Sequence, residues 1–382
     1  MDFSGFRRAL HACAGAAVVA LCTSGFVSTA ASAGTFAPFG PSGRDNPRGL
    51  SFGPDGRLYV AEAGHGGKEC IPPQHTGEEA SCIGFTGAIS TIDASSARGV
   101  VSGLVSFAGS GGFAATGIDG LSAHGNGGLF GVVTESIRGL ERLRPSFAPP
   151  LSQQTLALAN AQVGRLIKAN PGGQWKAVAD VGDVDFRWTE EHFEELGVHQ
   201  PPDSNPYGVF AASGVRWITD AAANTLDEVR PNGAVRVVAF IPSPPVSDSV
   251  PTCLDRGADG AFYVGELTGF GNGAGKSIVW RVVPGKAPEQ WATGLTAVTG
   301  CGFGSDGQFY ATEFSTEGWE IGEPETGAVV RVPPHSTSPT MIASGLSFPG
   351  GFAAGPDGAI YVSNWSIAPD YSRLGQVVRI TP

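Results

Sequence analysis

Phe348–Ser366 reads FPGGFAAGPDGAIYVSNWS, and the order of its residues decides the fold. A proline start leads through small and apolar residues to a glycine–aspartate turn, then to an aromatic β-run ending in a polar residue. The phrase returns at Asn46–Gly64 (NPRGLSFGPDGRLYVAEAG), Val250–Gly269 (VPTCLDRGADGAFYVGELTG) and Ala297–Ser315 (AVTGCGFGSDGQFYATEFS). Weaker copies stand at Gly117–Glu135 and Asn205–Ala223. Periods of roughly 40–50 residues made of short β-runs and Gly-rich turns indicate a propeller or solenoid.

Each phrase is followed by a second pair of β-runs, as in Thr225–Arg230 with Ala234–Ile241 and Ser277–Val283 with Glu289–Thr293. Turn residues such as Pro231-Asn232-Gly233 separate them. Four strands per repeat make a propeller blade, so the expected fold is all-β, a six-bladed propeller. The last repeat ends on its third strand, Gln376–Ile380, and Thr35–Phe39 is the candidate for its missing outer strand. A ring closed in this way leaves no open sheet edges.

Composition agrees with one turn-dense domain over residues 34–382: 57 glycines, 28 prolines, 41% hydrophobic residues and only 15% charged ones. A net charge of −11 argues against nucleic acid and anionic membranes as non-specific partners. Residues 1–33 read as a signal peptide, with Arg7 and Arg8, an apolar Ala9–Val27, and Ala31-Ser32-Ala33 as cleavage site. The expected destination is periplasmic or secreted, with no membrane insertion.

Export permits disulfides. Cys70 and Cys82 bracket a polar loop and are expected to bond, with a metal site involving His65 and His75 as the competing reading. Cys253 and Cys301 lie on inner strands of adjacent blades, and two alternatives stand for them, a bond or a pair of buried thiols.

The turns between first and second strands are tight, whereas Ala63–Thr86, Ser136–Gln162, Phe186–Ser204, Leu267–Lys276, Ser315–Thr326 and Ser366–Gly375 are long. Strand alternation brings all of these to one face, the expected binding face. Thr155–Leu166 and Thr189–Leu196 are expected to form short helices over it. Three residues past each strand-two aromatic stand Glu62, Asp220, Glu266, Glu313 and Asn364, with Val133 breaking the series. Closure gathers them at the channel mouth, where two readings compete. They hold a divalent cation such as Ca²⁺, or they hydrogen-bond loop backbone. Arg48, Asn205, Tyr207, Phe314 and Trp365 are the candidate ligand contacts on the same face; Asn46 and Asp119 start inner strands beside them.

The phrases Cys82–Ile89 (CIGFTGAI), Asp203–Gly208 (DSNPYG), Tyr263–Phe270 (YVGELTGF) and Tyr361–Asn364 resemble the ScyD/ScyE family, NHL-like propeller proteins named from scytonemin biosynthesis. The resemblance runs from about Gly34 to Pro382 and implies a secreted six-bladed propeller without established catalytic residues. At Ile118-Asp119-Gly120 the chain lacks the histidine-containing start expected of family members. No zincin, dithiol or nucleotide-loop motif accompanies these phrases. Two functions follow as expectations: a binding or scaffold protein for a small molecule, glycan or protein segment, and a metal-assisted, lactonase-like hydrolase built on the carboxylate ring.

Overall fold

The computed structural model describes residues 35–73, 80–124, 128–193, 202–243, 245–318, 322–367 and 374–382. The expected signal peptide and His75 lie outside them. Six antiparallel sheets form the blades. Blade one contains β2 (Pro47–Phe52), β3 (Leu58–Glu62), β5 (Ser81–Ile92) and β6 (Ala97–Ala108), with a short β4 (Glu69–Ile71) added to β5. Blade two is β7 (Ile118–His124), β8 (Gly128–Val133), β9 (Arg165–Ala169) and β10 (Trp175–Asp180). Blade three is β11 (Pro206–Ala211), β12 (Arg216–Asp220), β13 (Thr225–Val229) and β14 (Val235–Phe240). Blade four is β15 (Pro251–Arg256), β16 (Phe262–Glu266), β17 (Ser277–Val282) and β18 (Glu289–Leu295). Blade five is β19 (Val298–Phe303), β20 (Phe309–Glu313), β21 (Gly327–Val332) and β22 (Thr340–Leu346). In blade six, β23 (Phe352–Ala354), β24 (Ile360–Asn364) and β25 (Gln376–Ile380) are joined by β1 (Phe36–Pro38), with Phe36 opposite Ile380.

The repeat phrase has a physical explanation in its turn. In four blades the turn aspartate accepts the hydroxyl proton of the tyrosine four residues on: Tyr59 to Asp55 at 3.0 Å, Tyr263 to Asp259 at 3.2 Å, Tyr310 to Asp306 at 2.8 Å and Tyr361 to Asp357 at 3.0 Å. The glycine opening the turn makes room for that ring. A Cβ on Gly53 would stand 2.6 Å from the Tyr59 ring. Second strands such as LYVAE and IYVSN are buried throughout, because each blade packs on a neighbour at both faces. The core is accordingly divided among the blade interfaces. One such cluster joins Leu50, Leu58 and Val60 of blade one to Ala353, Tyr361 and Val377 of blade six.

Helices occupy two long connections. Helix α1 (Ile137–Leu143) and α2 (Gln153–Asn160) lie between β8 and β9, and α3 (Gly182–Glu191) precedes blade three. The expected helix over Thr155–Leu166 is shorter and earlier than its pattern suggested. Ser152 caps it by accepting the N–H of Thr155, and Gly164 at φ +69° turns the chain into β9. The helix expected over Thr189–Leu196 begins at Gly182 instead, with Asp183 and Asp185 in its first turn; 194–196 lie outside the described residues. The sequence pattern did not anticipate α1. No helix among the described residues is long and apolar enough to cross a membrane.

Both cysteine pairs are disulfides. Cys70 and Cys82 face each other across β4 and β5, while Cys253–Cys301 joins the inner strands of blades four and five across 48 residues. Chain entropy makes the longer link the stronger one, worth about 4 kcal/mol against about 3 for the shorter. The double substitution Cys253→Ala/Cys301→Ala is therefore expected to lower denaturant stability more than Cys70→Ala/Cys82→Ala, as measured in urea titrations of the two variants.

Candidate functional site

The carboxylate series is held by loops. Glu62 accepts the N–H of Asp45 at 2.8 Å, a hydrogen bond from Arg44 at 3.1 Å, and the hydroxyl of Ser90. Asp220 accepts four donors: the Ser204 hydroxyl and the N–H groups of Asn205, Ala222 and Ala223, at 2.6 to 3.0 Å. Glu266 accepts from Ile278 N at 3.0 Å and Trp280 Nε1 at 2.7 Å, Glu313 from Thr296 N at 2.8 Å, and Asn364 from Ser347 N at 2.8 Å. In blades one, five and six the donor precedes a residue in the left-handed region: Asn46, Ala297 and Phe348 at φ +52°, +46° and +47°. The side chain thus fixes the chain as it enters the inner strand. Among the described residues no three of His, Cys, Asp or Glu are placed to hold a metal ion. His65 pairs with Asp45.

Inside this collar a cavity opens at the channel mouth, enclosing about 810 Å³ of empty space including the part open to solvent. Its apolar wall is Ala221, Val250, Leu267, Phe314 and Ile367. Its polar lining includes Arg48, Thr116, Thr134, Asn205, Thr252 and Thr299. The threonine hydroxyls are already committed. Thr116 donates to Asp119 at 2.7 Å, Thr134 to Asn205 Oδ1 at 2.6 Å, Thr252 to Val298 O at 2.7 Å, and Thr299 to Pro349 O at 2.8 Å. Arg48, Asn205, Tyr207 and Phe314 line the cavity, whereas Trp365 stands behind Phe348, whose ring contacts both it and Phe314. Asn46 lies nearby with its amide bonded to the carbonyls of Gly64 and Gly112.

The floor is a buried ion pair. Arg48 Nε stands 3.5 Å from Asp119 Oδ1, and Arg48 Nη2 donates to the carbonyl of Ala115. Burial raises the Asp119 carboxyl, opposed by Arg48, and burial likewise raises the Tyr207 hydroxyl beside them. Tyr207 therefore remains a protonated donor. Arg48 and Tyr207 line both the cavity and the channel below it, forming the septum between them.

Behind Asn205 and Ala221 the acidic residues Asp185, Asp220 and Asp227 are fully buried. Asp185 stands within hydrogen-bonding reach of the carboxyls of Asp227 and Asp220, and Asp227 also accepts the Thr225 hydroxyl at 3.2 Å. Burial, followed by the carboxylates of Asp227 and Asp220, pushes Asp185 well above the usual range. Two such acids cannot both ionise there. Sequence reasoning missed Asp185 because its partners come from another blade. Gly49–Gly53 has the spelling G-x-S-x-G, yet Ser51 Oγ accepts the N–H of Ala123 on the next blade, and no strand-to-helix turn follows.

No protein-family model matches the chain, and no curated protein matches it. Solved structures do match. A Thermus thermophilus protein provisionally assigned as an oxidoreductase (glucose dehydrogenase) is 14% identical, with a TM-score of 0.52 over 89% of this chain and 97% of its own. A gluconolactonase from Xanthomonas campestris is 8% identical, with a TM-score of 0.50 over 92% and 99%. A streptogramin B lyase gives 12% identity and a TM-score of 0.47 over 92% and 99%. What the chain shares with such neighbours is the propeller.

Burial pushes Glu313 up to about 7, with the Thr296 N–H pulling it down. Folding thus favours its protonated form. Its contribution is complete below the ordinary glutamate range and is lost as pH rises through about 7, a change of about 3 kcal/mol. Glu313→Gln is expected to flatten the fall in stability between pH 5 and 8, equally in Ca²⁺ and in EDTA; melting curves across that range are the measurement.

Proposed function

We propose that this chain is an exported binding protein that takes a small, largely apolar ligand into the cavity at its channel mouth. One observation carries the reading: the cavity's threonine hydroxyls are bonded into the wall, so its surface is mostly apolar side chains. A ligand there gains by removing apolar surface from water, about 25 cal/mol per Å². Mostly apolar lining with few polar groups is the usual make-up of a small-molecule pocket. Export is part of the reading and is supported by the two disulfides together with the A-x-A signal pattern.

The ScyD/ScyE resemblance belongs to this proposal. The DSNPYG and GELTGF phrases that carry it supply Asn205, Tyr207 and Leu267 to the cavity. For the metal-assisted alternative no observation speaks, since the carboxylate ring is engaged with loop backbone and indole N–H groups. A neutral dye that fluoresces in apolar surroundings, N-phenyl-1-naphthylamine, is expected to bind the protein. Leu267→Trp, which fills the cavity, is expected to lower that binding at least tenfold with the melting temperature little changed. Equal dye binding by both proteins would move the site elsewhere.

A further inference from the structure

The septum beneath the cavity differs from the walls in having donors to offer. A guanidinium carries five N–H donors. Arg48 donates from Nη2 to Ala115 O and faces Asp119 through Nε, with Tyr207 alongside. These contacts leave it donor capacity toward the space it lines. The Tyr207 hydroxyl oxygen accepts a hydrogen bond from Arg48, which orients its own proton as a further donor. The Arg48 side chain is held from below: the Asp119 carboxylate that it faces is fully buried and is itself fixed by a hydrogen bond from the Thr116 hydroxyl at 2.7 Å. The donors are therefore positioned before any ligand arrives.

Charge decides what they accept. Asp119 already balances Arg48, and the buried Glu135 also lines the cavity. A fully anionic group would add a second negative charge in surroundings of low dielectric, where such charge is costly. A neutral carbonyl needs only the hydrogen bonds. Resting on the cavity reading above, we infer that Arg48 and Tyr207 form a carbonyl-binding subsite. The ligand is then an uncharged amphiphile, such as a ketone, ester, lactone or amide, with its carbonyl oxygen on the septum and its apolar body against Val250, Leu267, Phe314 and Ile367.

Two naphthalene dyes test this, one with a ketone (6-propionyl-2-dimethylaminonaphthalene) and one without (N-phenyl-1-naphthylamine). The wild type is expected to bind the ketone dye with the red-shifted emission of a hydrogen-bonded carbonyl. Arg48→Met combined with Asp119→Asn removes the pair together and avoids an uncompensated buried charge. It is expected to weaken the ketone dye about tenfold or more, as for a hydrogen bond to a charged donor, and to abolish the red shift. The other dye should bind that variant as it binds the wild type. Tyr207→Phe gives a smaller loss confined to the ketone dye, and it decides the matter if the double variant fails to fold. Binding of both dyes with no discrimination by either variant overturns the subsite and leaves the cavity reading standing. Binding of neither dye to the wild type overturns both.

Discussion

The ring depends on how closely the inner strands of successive blades approach one another. A Cβ on Gly49 would stand 2.7 Å from the backbone nitrogen of Leu121 in blade two. One on Gly120 would meet the carbonyl oxygen of Tyr207 in blade three at 2.4 Å, and one on Gly351 that of Arg48 in blade one at 2.3 Å. Only glycine permits such approach. Blade five keeps a glycine there, Gly300, whose Cβ would stand 2.5 Å from the carbonyl oxygen of Gly350, and in blades four and five the threonine one residue earlier hydrogen-bonds the next blade: Thr252 to Val298 O and Thr299 to Pro349 O. The narrow channel is thus built by backbone contact, and the side chains beside these glycines have nowhere to point except into it or into a blade interface.

That constraint explains why the mouth of the channel is a cavity. Each inner strand must be entered at a sharp bend, and the strand-two carboxylates and Asn364 hold several of those bends by accepting loop N–H groups. Polar atoms that would otherwise line the opening are drawn into this bracing. What remains exposed to the cavity is mostly aliphatic and aromatic, with Arg48 and Tyr207 at its floor. Stability and binding surface therefore come from the same arrangement. The acid pair Asp185 and Asp227 stands behind it, adding a buried contact between α3 and blade three whose ionisation opposes folding.

The role of the carboxylates shows the limit of reading by repeat position. Their placement after the strand-two aromatic was visible as a series, and a ring of acids at a channel mouth suits a cation as well as it suits loop backbone. The choice depends on what lies within hydrogen-bonding distance, and the backbone donors to Glu62, Glu266, Glu313 and Asn364 are 12 to 17 residues away in sequence. Glu266 is bound by the indole of Trp280, a contact made by the pairing of β16 with β17. Repetition in the sequence says that the position matters, and only the neighbours say for what.

Blade number, the tight turns and the long-loop face were legible because they arise from local chemistry. An aspartate and a tyrosine four residues apart lock a turn, and a glycine beside them makes room for the ring. The disulfide between Cys70 and Cys82 was legible for the same reason, being closed across one short connection. The bond between Cys253 and Cys301, the helix Ile137–Leu143, the Arg48–Asp119 septum and the burial of Asp185 were decided only in three dimensions. Each joins different blades, or lies in an inserted connection over them. Its energy exists only after the ring has brought distant strands together.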